Sequence, residues 1–233
     1  MAACRAIRIT ATTMPETASL LRLMAWSSPA FPVGAFSYSH GLERAVHDGI
    51  LSDRASLEDW LSGLVEAGSL WNDAVLAAQA VKASDSPEQL AELSALAEAM
   101  AGSSERHMET MNQGRAFVEA GRTWRGGAAD NLPGDCAYSV AFGAFAGQAG
   151  ISAREAIAAF LQATVSNLVQ AAIRLSIIGQ TDGVRTIAAL EPLVTSTAER
   201  ASRAGLDELG SGTISSEIVA MRHETQHSRL FRS

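Results

Sequence analysis

The sequence predicts an all-α protein, a single-domain bundle of roughly nine or ten helices over residues 17–221, with mobile segments at 1–16 and 222–233. Three observations predict it. Hydrophobic residues make up 47% of the 233 but aromatics only 6%, so the apolar content rests on Ala and Leu, which favour helix over strand. No stretch alternates apolar and polar residues as a half-buried strand does. Capping signals recur ahead of apolar runs at helical spacing.

The elements follow in order. Ala18 to Trp26 places Leu20, Leu21, Leu23 and Met24 at helical spacing. A turn-rich stretch follows, and Leu42 to Val46 then reads as helix, stopping at Gly49 in the C′ position. Ser56-Leu-Glu-Asp59 approximates a capping box opening a helix with Trp60, Leu61, Leu64 and Val65. Asn72 or Asp73 caps the next, through Val81, and Ser86-Pro87 starts another with proline in the first turn. From Ser104 a longer, more polar helix is expected to reach about Arg125. Residues 126–135, rich in Gly, Pro, Asn and Asp, read as loop, a boundary between two helical halves and not between independent domains.

Beyond that loop the chain turns apolar. From Cys136 to Ile173 the only charges are Arg154 and Glu155, inside a Ser152-x-x-Glu155 capping box. The uncharged run Ala156–Ile173 has transmembrane length, but Gln162, Thr164, Ser166, Asn167 and Gln170 recur through it. That pattern suits a buried helix better than a lipid-facing one, so no membrane partner is expected. Gly143-Ala-Phe-Ala-Gly147 permits close helix approach in the core or at a subunit contact. After Gly183 another helix runs to about Ala204, kinked or restarted at Pro192. Gly205 to Gly212 is loop, and from Thr213 a last helix carries Ile214, Ile218 and Met221 on one stripe.

Charge and cysteine usage exclude several functions. A net charge of −7 argues against nucleic acid as a partner. Cys4 and Cys136 stand alone, so neither a disulfide framework nor a Cys-x-x-Cys metal knuckle is built. With no apolar secretory segment in residues 1–16, a cytoplasmic location is expected. There is no phosphate-binding Gly-rich loop and no Gly-x-Ser-x-Gly turn, hence no expected catalytic residue.

Two stretches stand out. Ser28-Pro-Ala-Phe-Pro-Val-Gly-Ala-Phe-Ser-Tyr-Ser-His-Gly-Leu-Glu43 packs prolines, glycines, hydroxyls and aromatics into one segment. Such aromatics either fill a core or anchor a partner. The second, residues 222–233, sets Arg222, Arg229 and Arg232 around Leu230-Phe231. It contains His223-Glu-Thr-Gln-His227, which matches H-E-x-x-H. On a helix that spacing puts two imidazoles on one face for zinc, with Glu224 as general base. A third ligand is missing nearby, and only six residues follow, so no metal site is expected. A zinc hydrolase centred on His223 and His227 stays the competing class.

Both stretches resemble the signatures of the urease accessory protein F family. The first is similar to that family's Pro-Val-Gly-(aromatic)-Ser-(aromatic)-Ser-x-Gly-Leu-Glu motif, with Ala35 between the glycine and first aromatic; the second resembles its C-terminal signature, with His227 where the family often has tyrosine. The resemblance implies an all-α cytosolic homodimer without activity of its own. It would bridge a nickel-binding GTPase accessory protein (G) and a scaffold accessory protein (D, also called H), delivering nickel to apo-urease in a GTP-dependent manner. No resident cofactor is implied, nickel being cargo. It also implies partner contacts at Pro32, Gly34, Phe36, Ser37, Tyr38, Ser39, Gly41 and Glu43, and at Arg222, His223, Glu224, Ser228, Arg229, Leu230, Phe231 and Arg232. A third possibility is a GTPase-activating role through one of the arginines.

Overall fold

The structure, a computed structural model, describes residues 16–124 and 127–233. The flexible N-terminus expected over 1–16 lies almost wholly outside the described residues, as do Cys4 and Arg125. Among the described residues every regular element is helical: α1 Glu16–Trp26, α2 Leu42–His47, α3 Arg54–Ala67, α4 Ser69–Lys82, α5 Pro87–Ala99, α6 Ser104–Gly121, α7 Ala128–Asn131, α8 Tyr138–Gln148, α9 Ala153–Arg174, α10 Gln180–Arg203 and α11 Ile214–His223. Short 3₁₀ turns sit at Ala35–Ser37 and Leu206–Glu208.

Helix α8 forms the centre. Eight of its residues, from Ser139 to Ala146, are buried, and α4, α6 and α9 pack around it. It has no polar face because none of its sides meets water. Glycine allows the closest approach. A Cβ on Gly143 would stand 2.3 Å from the Ala77 carbonyl oxygen of α4, and one on Gly147 2.4 Å from that of Val81. The Gly143–Gly147 pair therefore serves core packing against α4. Aromatic rings seal the same core: Trp26 meets Phe117, Phe142 and Phe145 edge-on, with centroids 5.9–6.3 Å apart.

Helix α9 is long and apolar enough to cross a membrane, yet nine of its residues, including Phe160, Leu161, Val165 and Leu168, are buried in the bundle. Cys136 is a buried free thiol, and burial pushes it up to about 11, leaving it inert at neutral pH.

Several boundaries differ from expectation. The α3 capping box joins Asp53 to Ser56, with Ser56 at the third helical position instead of the cap. Helix α4 starts at Ser69 after Gly68, so Asn72 and Asp73 lie inside it. The expected loop at 126–135 contains the single-turn α7. Helix α10 begins at Gln180 and runs through Pro192 without interruption. By contrast Ser86 before Pro87 and Ser152 before Glu155 cap α5 and α9 as expected.

Candidate functional site: two signature stretches on one seat

The first stretch leaves α1 and folds back over α9. Phe31 is buried against Phe117, whereas Pro32 is exposed. Gly34 takes φ 73°, which reverses the chain ahead of the 3₁₀ turn. That reversal leaves Phe36 pointing outward, 68% exposed. Tyr38, Ser39 and His40 then turn inward and are buried. His40 holds a left-handed φ of 53°, a costly conformation for a residue with Cβ. Gly41 must be glycine: its φ is 77°, and a Cβ there would stand 2.9 Å from the Ala220 Cα of α11.

The second stretch packs on this seat. The tail expected to be mobile at 222–233 is held here by backbone hydrogen bonds to the first stretch. Glu43, in the first turn of α2, accepts the backbone N–H of Leu230 at 2.7 Å and of Phe231 at 3.0 Å. The Arg232 N–H donates to the Ser37 carbonyl at 2.8 Å, and the Ser39 N–H to the Ser233 carbonyl at 2.8 Å; the Ser39 hydroxyl donates there too. Phe231 is buried, so it anchors the tail to its own domain instead of standing free as a partner anchor. The physical reason is that buried carboxylates within the chain already satisfy the tail's N–H groups and one of its arginines, which the sequence could not place.

His223 ends α11 and is fully buried. Its Nδ1 stands 2.6 Å from Glu105 of α6 and its Nε2 3.2 Å from Glu43. A ring N–H donates to whichever carboxylate faces the protonated nitrogen. Arg229, its side chain 37% exposed, donates to the other Glu105 oxygen at 2.5 Å, so the buried Glu105 carboxylate is shared between an imidazole and a guanidinium. Since α11 stops at His223, His227 lies in an exposed turn and not one helical turn along the same face. The two imidazoles do not converge, and the zinc hydrolase geometry is not built. Glu224 instead caps α6, its carboxylate accepting the Ser104 N–H at 2.8 Å. Among the described residues, no three His, Cys, Asp or Glu side chains group as a metal site.

A second buried cluster supports the first. Glu109 accepts from Arg106 at 2.6 Å, from Gln113 at 2.9 Å and from the Ser233 hydroxyl at 2.9 Å. The His40 Nε2 lies 2.7 Å from Glu109 and 2.8 Å from Arg106, and one nitrogen cannot both donate to the first and accept from the second. Donation to the carboxylate is favoured, because it leaves only a lone pair at the unpartnered Nδ1. Burial alone would raise the Glu109 carboxyl, but the Arg106 guanidinium and the hydrogen bonds from His40 and Arg106 outweigh it and hold the group at about 2. Asp73 behaves oppositely: burial lifts its carboxyl despite Arg106 nearby.

The remaining residues face solvent. Arg222 is exposed and pairs with Asp48 at 3.0 Å. Leu230 is 64% exposed, and Ser228 and the Arg232 side chain are exposed as well. Sequence reasoning missed Glu105 and Arg106, which sit in a polar helix that reads as solvated. One signal was there: Glu105 and Glu109 are like charges at i,i+4, which repel unless cations intervene.

The family model UreF matches residues 51–191, about which both signature stretches lie. The chain belongs to the UreF family. It is 58% identical over 227 residues to the urease accessory protein UreF 1 of Brucella canis, covering 97% of this chain and 100% of that protein. To the urease accessory protein UreF of Mesorhizobium japonicum it is 56% identical over 222 residues, covering 95% of this chain and 100% of that one. The chain is accordingly an accessory protein and not an enzyme.

Proposed function

We propose that this chain is an adaptor for urease maturation. It bridges the GTPase accessory protein (G) and the scaffold accessory protein (D/H), so that nickel is passed as cargo to apo-urease in a GTP-dependent step. The observation that carries this reading is the union of the two signature stretches. Glu43 and Phe231 lie 188 residues apart in sequence, yet they join one surface that leaves Phe36, Leu230, Arg222 and Arg232 to solvent. Exposed aromatic, aliphatic and arginine side chains on a rigid seat suit protein recognition. The names of the relatives supply the urease connection.

The chain works as a cytoplasmic homodimer in this reading. A groove of about 670 Å³ between α1, the first stretch and α9 supports it, with Leu20 and Met24 exposed at its lip. Such apolar surface on a chain of net charge −7 gives two like-charged copies a neutral place to meet.

The test is co-purification with each accessory protein, together with urease activation in cells. A chain carrying Phe36→Asp and Leu230→Asp should keep its helix content and lose capture of at least one partner. Undiminished capture of both, with full urease activation, would overturn the adaptor assignment.

A further inference from the structure

The last turn of α9 holds a residue outside both signature stretches that touches both of them. Arg174 donates from Nη1 to the Phe36 carbonyl at 2.5 Å, and its guanidinium carbon lies 4.3 Å above the centre of the Phe231 ring. Two helical turns earlier, on the same side of α9, Asn167 donates to the Ala35 carbonyl at 3.0 Å. The helix thus grips the 3₁₀ turn at Ala35 and at Phe36, but only at Arg174 does that grip extend to the tail. The guanidinium suits the place, since a cation is favoured at a helix C-terminus and its flat face covers an aromatic ring. Phe231 is buried with the guanidinium as part of its cover, whereas Phe36, whose carbonyl is held, turns its ring to solvent.

We propose that Arg174 is a positioning residue for partner recognition. It locks the turn bearing Phe36 to the tail anchored by Phe231, so that a partner protein meets one preassembled surface instead of two segments that must be ordered separately. The inference rests on the adaptor reading above, in which these two stretches face the accessory proteins. Holding them in advance removes part of the ordering entropy from the binding step. Glu105 cannot substitute for Arg174, because it reaches the tail at His223 and Arg229 but makes no contact with the turn.

The test uses the full chain with Arg174→Met, which keeps the apolar stem and removes every donor, and with Arg174→Lys, which keeps the charge. Backbone amide exchange over residues 34–41 and 224–233 reads the clamp, and co-purification with the two accessory proteins reads recognition. Helix content and thermal midpoint serve as the control. Arg174→Met should speed exchange in both segments by about tenfold and reduce partner capture by a similar factor while helix content is kept. Arg174→Lys should recover part of both. Exchange unchanged in both segments would overturn the clamp. Faster exchange with undiminished capture would leave the clamp standing and overturn its role in partner recognition, whereas failure of the parent chain to capture either accessory protein would overturn the adaptor reading. Should Arg174→Met lose its helical signal, Arg174→Lys decides by the same two readouts: wild-type exchange and reduced capture together would overturn the positioning role.

Discussion

The carboxylate of Glu43 accepts the backbone N–H of Phe231 at 3.0 Å, 188 residues away in sequence. Its other oxygen takes the neighbouring N–H of Leu230. One side chain in the first turn of a six-residue helix thereby does what a neighbouring strand would do for an extended segment. Charge-assisted bonds in a buried setting are the strong kind.

Replacing Glu43 by Gln keeps the volume and removes the charge and one acceptor oxygen. Stability should fall by about 1–3 kcal/mol, since a buried backbone donor is left poorly satisfied. Urea unfolding measures the loss, and amide exchange at Leu230 and Phe231 should rise with it. A variant as stable as the parent, with a protected tail, would show that the tail is held elsewhere.

Acid should weaken the fold through Glu109. Its carboxyl is depressed from an ordinary 4.5 to about 2 in the folded chain. A depressed carboxylate stabilises the fold above its unfolded value and loses that contribution as pH falls through the folded one. The window therefore runs from about 4.5 down to about 2, and the loss is on the order of 3 kcal/mol at 1.36 kcal/mol per unit. Asp73, lifted by burial, acts in the opposite sense. Urea midpoints measured across this range for the parent and for Glu109→Gln isolate the effect. The variant should be less stable near neutrality and show a shallower decline; parallel curves would contradict the assignment.

Gly143→Ala tests the α8–α4 contact. The added methyl would fall 2.3 Å from the Ala77 carbonyl oxygen and 2.9 Å from the Ala80 Cβ, so two core helices must separate. Overpacking of this kind costs about 1–3 kcal/mol or more, despite the gain in helix propensity. A thermal midpoint at or above the parent's would mean the two helices can part without penalty.

Phe36→Ala separates recognition from folding. The ring is 68% exposed, so stability should stay within about 0.5 kcal/mol of the parent. Capture of an accessory protein should weaken by about 2 kcal/mol or more if the ring is a binding hot spot. Equal loss of stability and capture would place the ring in the core's service instead.

How much of this was legible beforehand depended on distance along the chain. Ser86 with Pro87, Ser152 with Glu155, and the glycine stop at Gly49 act within one turn, and the structure bears each of them out. The α3 cap was misplaced because Asp53 and Ser56 both fit the start of a capping box, and only backbone geometry distinguishes them. The fully buried α8 has no polar face, so its helical period left no mark on the pattern.

The sequence by itself determined the all-α class, most helix positions and the two stretches whose composition marks the family, because propensity, caps and turn chemistry are local. Tertiary structure alone decided that the tail is seated, that His223 is flanked by two carboxylates, and that Glu105, Glu109 and Arg174 belong to the site. Arginine and phenylalanine in a terminal segment read the same whether their partner is another protein or a carboxylate 124 residues back on the same chain. Which one they meet is fixed by the helix faces that pack together, and by the need of each charge withdrawn from water to find its counterpart there.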